Sequence, residues 1–284
     1  NHVVHSEFPG VVTMAEESTA WPGVTRDTSA GGLGFTFKWD MGWMHDTLKF
    51  FQKKTTQRAA QQDKFAFASL YRDQESYLLP LSHDEVVHEK RSLIGRMPGA
   101  DAELTANMRL LFGYQWLFPG KPLLFMGGEI GQRTEWSEDG EVAWELLEEN
   151  ELHVGLQQWV AALNHLYRDE PALWAGDYSE GGFYWIDNAD HVAGVASFVR
   201  QTPDCSRQAL VLLNLGNASH AGYRIGLPRA GWWREVLNSD SEHYGGENFG
   251  NNGGVDSQET PWHSQPWSAE FNLPPLSCLV FLCD

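Results

Sequence analysis

Residues 77–85 read Tyr77-Leu78-Leu79-Pro80-Leu81-Ser82-His83-Asp84-Glu85, an apolar run that ends directly at acidic residues. Three other apolar runs end in the same way: 11–15 before Glu16 and Glu17, 34–39 before Asp40, and 122–126 before Glu129. Continuous apolar runs of this length are typical of strands that are buried on both faces, as in parallel sheets. The sequence therefore predicts four parallel strands, each followed by a carboxylate.

Helical patterns lie between and after these runs. Apolar residues recur at helical spacing in four segments: 43–51, 65–71, 104–116 and 152–166. Pro119 and Pro171 lie just beyond the third and the fourth pattern, where they would end a helix. Strands that alternate with helices in this way indicate an α/β fold for the first 175 residues.

The chain changes character at about residue 176. From there it has no long helical period, and short apolar runs are separated by turn residues, for example at 182–186, 192–199 and 209–213. This pattern predicts an antiparallel β-sandwich of about seven strands. The glycine-rich segment 245–254 is predicted to be a long flexible loop inside it.

Charge and composition restrict the partners. The 20 basic and 38 acidic residues give a net charge of −18, which repels nucleic acids and anionic membrane surfaces and suits a neutral ligand. Thirteen tryptophans could stack on sugar rings, or could simply fill the core. No apolar run approaches the ~20 residues of a membrane span, and residues 1–10 do not resemble a signal peptide. Three scattered cysteines fit a reducing compartment, so we expect a cytoplasmic protein.

The acidic residues after the four strands indicate a reaction. The carboxyl ends of parallel strands gather on one face, where α/β enzymes carry their active sites. Several carboxylates there suit glycoside chemistry, in which one acid protonates the leaving oxygen and another carboxylate attacks or stabilises the sugar centre. The alternative is that each acid caps the helix after its strand, and Asp40 fits this alternative best.

Other catalytic motifs are not found in the sequence. His83 and His88 are five residues apart, whereas a zinc-binding H-E-x-x-H motif places its histidines four apart. The sequence contains neither the glycine-rich nucleotide motifs nor a G-x-S-x-G elbow. No metal and no organic cofactor is therefore expected.

Several motifs resemble bacterial 1,4-α-glucan (glycogen) branching enzymes, members of the α-amylase clan. They are the segments 14–19 (MAEEST), 31–48, 79–88 (LPLSHDEVVH), 96–99, 123–129 and 233–240. The resemblance covers essentially the whole chain. It implies that residues 1–175 are the second half of a (β/α)₈ barrel and that residues 176–284 are a C-terminal β-sandwich domain. Four strand–helix units are indeed half of the eight in such a barrel.

The resemblance also implies roles for individual residues. Glu16, after the fifth barrel strand, matches the general acid/base, and Glu17 is the alternative acid. Asp84, after the seventh strand, matches the acid that stabilises the transition state. His83 matches the histidine that hydrogen-bonds sugar hydroxyls. Glu129, after the eighth strand, is expected to be a structural acid at the edge of the site.

The implied reaction cleaves an α-1,4 bond of a glucan and transfers the fragment to a 6-hydroxyl, with retention of configuration. The family carries its nucleophilic aspartate after the fourth strand, in a block that has no counterpart in this sequence. The chain is therefore expected to need the N-terminal portion of the same enzyme as a partner. Two alternatives stay open: a different α-amylase-clan hydrolase, or an inactive glucan-binding fragment.

Overall fold

A four-stranded parallel sheet organises the first part of the molecule, of which the computed structural model describes residues 1–283. Its strands are β1 (Met14–Ala15), β2 (Phe37–Trp39), β3 (Tyr77–Leu81) and β4 (Lys121–Leu124). They pair in chain order, and all three pairings are parallel. Strands that pair consecutively and in parallel are what successive βα units of a barrel produce, so the predicted partial barrel is confirmed.

Within residues 1–283, seven α-helices accompany the sheet. They are α1 (His2–Glu7), α2 (Met41–Phe51), α3 (Thr55–Arg58), α4 (Gln62–Ala66), α5 (Asp101–Leu117), α6 (Leu146–Glu149) and α7 (Glu151–Asp169). Helices α2, α5 and α7 match predicted segments. The helix predicted over residues 65–71 is wrong, because α4 ends at Ala66 and a 3₁₀ turn follows at Phe67–Leu70. Packing decides the local shape there, since the Phe65 ring lies 4.2 Å from Tyr114 and 4.7 Å from Phe50, measured between ring centroids.

The connection from β1 to β2 contains no α-helix. Its residues, 16–36, form a loop with one 3₁₀ turn at Thr28–Ala30. The Glu75 carboxylate fixes this loop by accepting hydrogen bonds from the backbone N–H groups of Val24 (2.9 Å) and Thr25 (2.7 Å). Gly32 allows a close approach within the loop, because a Cβ there would lie 2.1 Å from the Arg26 carbonyl oxygen. A loop therefore takes the place of the usual crossover helix.

The second part is an antiparallel β-sandwich, as predicted. Its strands are β5 (Phe183–Asp190), β6 (Val195–Gln201), β7 (Gln208–Asn214), β8 (His220–Leu227), β9 (Trp232–Asn238), β10 (Gly254–Asp256), β11 (Trp267–Leu273) and β12 (Ser277–Cys283). A six-stranded sheet in the order β10-β9-β12-β7-β6-β5 packs against the pair β11-β8. The count within residues 176–283 is eight rather than about seven. Strands β8, β10 and β11 carry glycine or polar residues that hide their strand character in the sequence.

Several hydrogen bonds hold the glycine-rich loop 245–254, and its flexibility stays a prediction. The Asp240 carboxylate accepts hydrogen bonds from the backbone N–H groups of Glu247 (3.3 Å) and Phe249 (3.1 Å). The Asn251 side-chain oxygen accepts another from Asn272 N–H (2.7 Å). Polar side chains from neighbouring elements thus replace the apolar anchors that the loop lacks.

Helix α5 joins the two parts through one hydrophobic core. Every residue from Asn107 to Leu117 is buried, because the parallel sheet and α7 cover one side of the helix and β7 and β12 cover the other. The backbones come close at Gly113, where an added Cβ would lie 2.7 Å from the Cys278 side chain. The buried Arg200 of β6 adds a polar link, since its guanidinium donates to the carbonyl of Leu117 and pairs with Asp177.

Candidate active site

Glu16 directly follows β1 at the carboxyl end of the parallel sheet, and its side chain is exposed. Ala15 pairs with Lys38 of β2, and Lys38 pairs with Tyr77 of β3. Because β2 lies between β1 and β3, the strands that carry Glu16 and Asp84 are about 10 Å apart. The two carboxylates therefore lie at the same (carboxyl) end of the sheet, but the strands that they follow are not direct neighbours.

Glu17 has a different environment from its neighbour. Its carboxylate accepts a hydrogen bond from the backbone N–H of Thr19 at 2.6 Å. Hydrogen bonds from the Thr19 hydroxyl and backbone hold the pKa of Glu17 below its usual value. The same turn is supported by Lys38, whose Nζ donates to the Thr19 carbonyl at 2.9 Å. Glu17 is therefore engaged in the structure of the turn.

His83 and Asp84 form a pair after β3. They lie in the 3₁₀ turn His83–Glu85, with His83 Nε2 3.3 Å from Asp84 Oδ1. About half of each side chain is exposed. The His83 ring also lies 5.9 Å from the ring of Phe125, which follows β4. The pair is thus open to a ligand at the carboxyl end of the sheet.

Ser82 and Glu85 hold the turn that carries this pair. The buried Glu85 carboxylate accepts hydrogen bonds from Ser82 N–H (2.6 Å) and Ser82 Oγ (2.8 Å), and Ser82 Oγ accepts one from Asp84 N–H (3.3 Å). Arg96 donates to the Glu85 carbonyl and Lys90 Nζ to the Asp84 carbonyl (2.7 Å). This support is visible in the sequence only as the spacing Ser82-x-x-Glu85, which is that of a capping box.

Asp40 caps helix α2, which confirms the alternative interpretation for this residue. Its carboxylate accepts hydrogen bonds from Trp43 N–H (2.8 Å) and from the Tyr71 hydroxyl (3.0 Å). The side chain is buried, and this burial raises the pKa of Asp40 to about 6. Asp40 lies after β2 but has the contacts of a structural residue.

Glu129 completes the set of acids and lies half-buried in the turn after β4. The structure thus places Glu16, His83, Asp84 and Glu129 at the same end of the sheet, because parallel strands have their carboxyl ends together.

Among residues 1–283, no three His, Cys, Asp or Glu side chains are arranged to bind a metal ion. Within the same residues, no helix combines the length and apolarity needed to span a membrane.

Comparison with known proteins gives one family model and a group of close relatives. Residues 185–284 match the model described as "Alpha amylase, C-terminal all-beta domain". The chain is 51% identical over 279 residues to the 1,4-alpha-glucan branching enzyme GlgB of Mycolicibacterium paratuberculosis, and 50% identical over 281 residues to that of Mycobacterium sp.. These alignments cover 98% and 99% of this chain but only 38% and 37% of the relatives.

Two α-amylases are among the solved structures that superpose on this chain. An α-amylase from Anoxybacillus superposes with a TM-score of 0.63 at 15% identity, covering 99% of this chain and 54% of that one. The α-amylase from H. orenii gives a TM-score of 0.61 at 17% identity, covering 100% of this chain and 55% of that one. At these identities the likeness shows a shared fold and nothing about the reaction.

Proposed function

The chain corresponds in sequence to the C-terminal portion of bacterial 1,4-alpha-glucan branching enzymes, and we propose that it supplies half of the active site of such an enzyme. The reaction cleaves an α-1,4 bond, holds the cleaved glucan as a covalent glycosyl-enzyme and transfers it to a 6-hydroxyl. One observation carries the proposal. Glu16 and the His83–Asp84 pair follow the carboxyl ends of parallel strands, and the chain is 51% identical over 279 residues to such an enzyme.

Glu16 is the general acid and base in this proposal. In the first step its carboxyl group gives a proton to the leaving glycosidic oxygen, and in the second step the carboxylate takes the proton of the acceptor hydroxyl. Its exposure at the end of β1 supports this assignment, because a sugar oxygen must reach it. Glu17 suits the role less well, since its carboxylate is bound to the Thr19 turn.

Asp84 stabilises the positive charge that develops on the sugar, and His83 donates a hydrogen bond to a sugar hydroxyl beside it. A carboxylate has this effect only when it is held in place before the charge appears. The hydrogen bonds of Ser82 and Glu85 to the turn supply that rigidity. Partial exposure of both side chains leaves them accessible to the substrate.

The attacking carboxylate comes from outside this chain. A retaining mechanism needs it about 5–5.5 Å from the acid/base, whereas Asp84 lies two strands away from Glu16. The free edge of β1 offers the neighbouring position, and the apolar side chains of Val11, Val12 and Met14 beside it are about half exposed. We therefore propose the N-terminal portion of the same enzyme as the partner that pairs with β1.

The test is an assay of the full-length enzyme on amylose. Branching lowers the iodine colour and creates α-1,6 linkages that a debranching enzyme releases, without a matching rise in reducing ends. A rise in reducing ends without new α-1,6 linkages would instead identify a hydrolase. Transfer requires that the acceptor glucan reach the glycosyl-enzyme before water does.

A further inference from the structure

A cavity of about 680 Å³ lies between the β1–β2 loop, the start of α2 and residues 71–77, which lead into β3. We propose that this cavity binds a short stretch of α-glucan, as a subsite separate from the catalytic groups; the proposal rests on the function proposed above. The volume falls within the roughly 300–1,000 Å³ of small-ligand sites. The cavity exists because a loop rather than a helix connects β1 to β2.

Aromatic side chains form much of the wall. Trp21, Trp39, Tyr71 and Tyr77 all line the cavity, and Trp21 is 59% exposed. Four of the thirteen tryptophans are buried in the core, namely Trp43, Trp116, Trp159 and Trp233, whereas Trp21 lies at the surface. Faces of Trp and Tyr rings stack on the apolar faces of sugar rings, and their N–H and O–H groups satisfy polar partners.

The charges of the wall favour a neutral polyhydroxylated ligand. Four carboxylates line the cavity (Glu17, Asp40, Asp73 and Glu75) against the two cations Arg26 and Lys38. Lys38 is buried, and its ammonium donates to the carbonyls of Thr19 and Trp21. The excess of negative charge disfavours a phosphorylated sugar. Glu17, Asp40 and Glu75 already accept hydrogen bonds from the protein, whereas the exposed Asp73 carboxylate offers an acceptor to a glucan hydroxyl.

The position of the cavity connects it with the proposed reaction. Glu17 is in its wall and directly follows Glu16, so a glucan at the catalytic end of the sheet can continue into the cavity. Residues 1–16 do not line it.

The experiment compares Trp21→Ala with Trp262→Ala in the full-length enzyme. Trp262 is a matched control, because it is also exposed (46%) but does not line this cavity. Binding of maltohexaose is measured by calorimetry with Glu16→Gln as the common background, which prevents turnover. The branching kinetics are measured separately on amylose with Glu16 intact. A thermal melt of every variant establishes that it folds.

We expect Trp21→Ala to weaken maltohexaose binding about three- to tenfold, as for the loss of one stacking contact, and Trp262→Ala to leave it unchanged. The branching loss should appear in KM more than in kcat. Trp21→Phe keeps a stacking face and should restore most of the binding. The subsite would be overturned if Trp21→Ala, in the Glu16→Gln background, bound maltohexaose with the same affinity as Glu16→Gln alone. The absence of maltohexaose binding in every variant would instead contradict the proposed glucan function.

Discussion

Two adjacent acids, Glu16 and Glu17, illustrate how the backbone assigns different tasks to identical side chains. Glu16 is exposed at the end of β1, whereas the Glu17 carboxylate accepts the Thr19 N–H at 2.6 Å. The hydrogen bonds of Thr19 lower the pKa of Glu17, which makes it a weaker proton donor. The local contacts therefore favour the first acid of the pair as the catalytic one.

We expect Glu16→Gln to lower branching by roughly 10²–10⁴-fold in the full-length enzyme, because glutamine keeps the shape but has no transferable proton. Glu17→Gln is the matched control and should cost far less, since an amide oxygen can still accept the Thr19 hydrogen bond. Initial rates of α-1,6 linkage formation measure both effects. If the two variants exchange their effects, the choice within the pair is wrong.

Asp84→Asn should abolish turnover and leave glucan binding nearly intact. The carboxylate acts on positive charge that exists only in the transition state, so its loss affects the rate far more than the ground-state complex. Affinity for maltohexaose and the branching rate are measured on the same preparation. A loss of affinity as large as the loss of rate would contradict the assigned role.

At the scale of the element, the first turn of helix α2 depends on a carboxylate that burial makes hard to ionise. Asp40 accepts hydrogen bonds from Trp43 N–H and the Tyr71 hydroxyl, and burial raises its pKa from 3.8 to about 6. The native protein therefore holds this proton more tightly than the unfolded chain does. Its contribution to stability is fully present below pH 3.8 and is lost as the pH rises through about 6.

Replacement of Asp40 by asparagine should remove this pH dependence. Asparagine is an equally good helix cap and can still accept both hydrogen bonds, but it buries no charge. The free energy of unfolding of the variant, relative to wild type, should rise between pH 4.5 and pH 7 by about 2 kcal/mol. Urea unfolding of the full-length protein at several pH values measures the difference.

Asp27→Asn is the control for that experiment. Asp27 caps the 3₁₀ turn Thr28–Ala30 at the surface, and hydrogen bonds from the Ser29 side chain and backbone lower its pKa. The sign of the effect is therefore opposite, and this variant should lose stability relative to wild type as the pH rises through the acidic range. Parallel pH profiles for Asp40→Asn and wild type would show that the buried carboxylate does not titrate as described.

At the scale of the whole molecule, the shared core couples two parts that the sequence separates. We propose a domain boundary near residue 175, between the partial barrel (1–175) and the β-sandwich (176–284). Because α5 is buried between them, truncation after residue 175 would expose the face of α5 that packs on β12. Residues 1–175 alone should therefore fail to give a cooperative unfolding transition, and a cooperative transition would contradict the shared core.

The isolated 284-residue chain should have no branching activity. Among residues 1–283 no carboxylate occupies the position proposed for the nucleophile, and the open edge of β1 with its exposed apolar neighbours should promote association. Size-exclusion chromatography measures the association, and the amylose assay measures activity with and without the N-terminal portion. Robust α-1,6 branch formation by the purified chain alone would overturn the proposed division of the active site.

The sequence by itself determined the periodic features of this protein. The four apolar runs predict the parallel strands, and the helical spacing predicts α2, α5 and α7. The acids after the strands indicate the end of the sheet at which we propose the active site. Such features are local, because a strand or a helix repeats its pattern along the chain and strands that run in parallel bring their ends together. The change to antiparallel strands after residue 176 is visible for the same reason.

Only the tertiary structure decided which acids make structural contacts. Asp40, Glu85 and Glu17 are carboxylates in similar sequence positions to Glu16 and Asp84, yet they bind α2, Ser82 and Thr19. The break of the predicted helix at residues 65–71 and the cavity beside the β1–β2 loop likewise depend on contacts between residues far apart in the chain. A hydrogen-bond partner or a packing neighbour that arrives from another element leaves no periodic signal in the sequence.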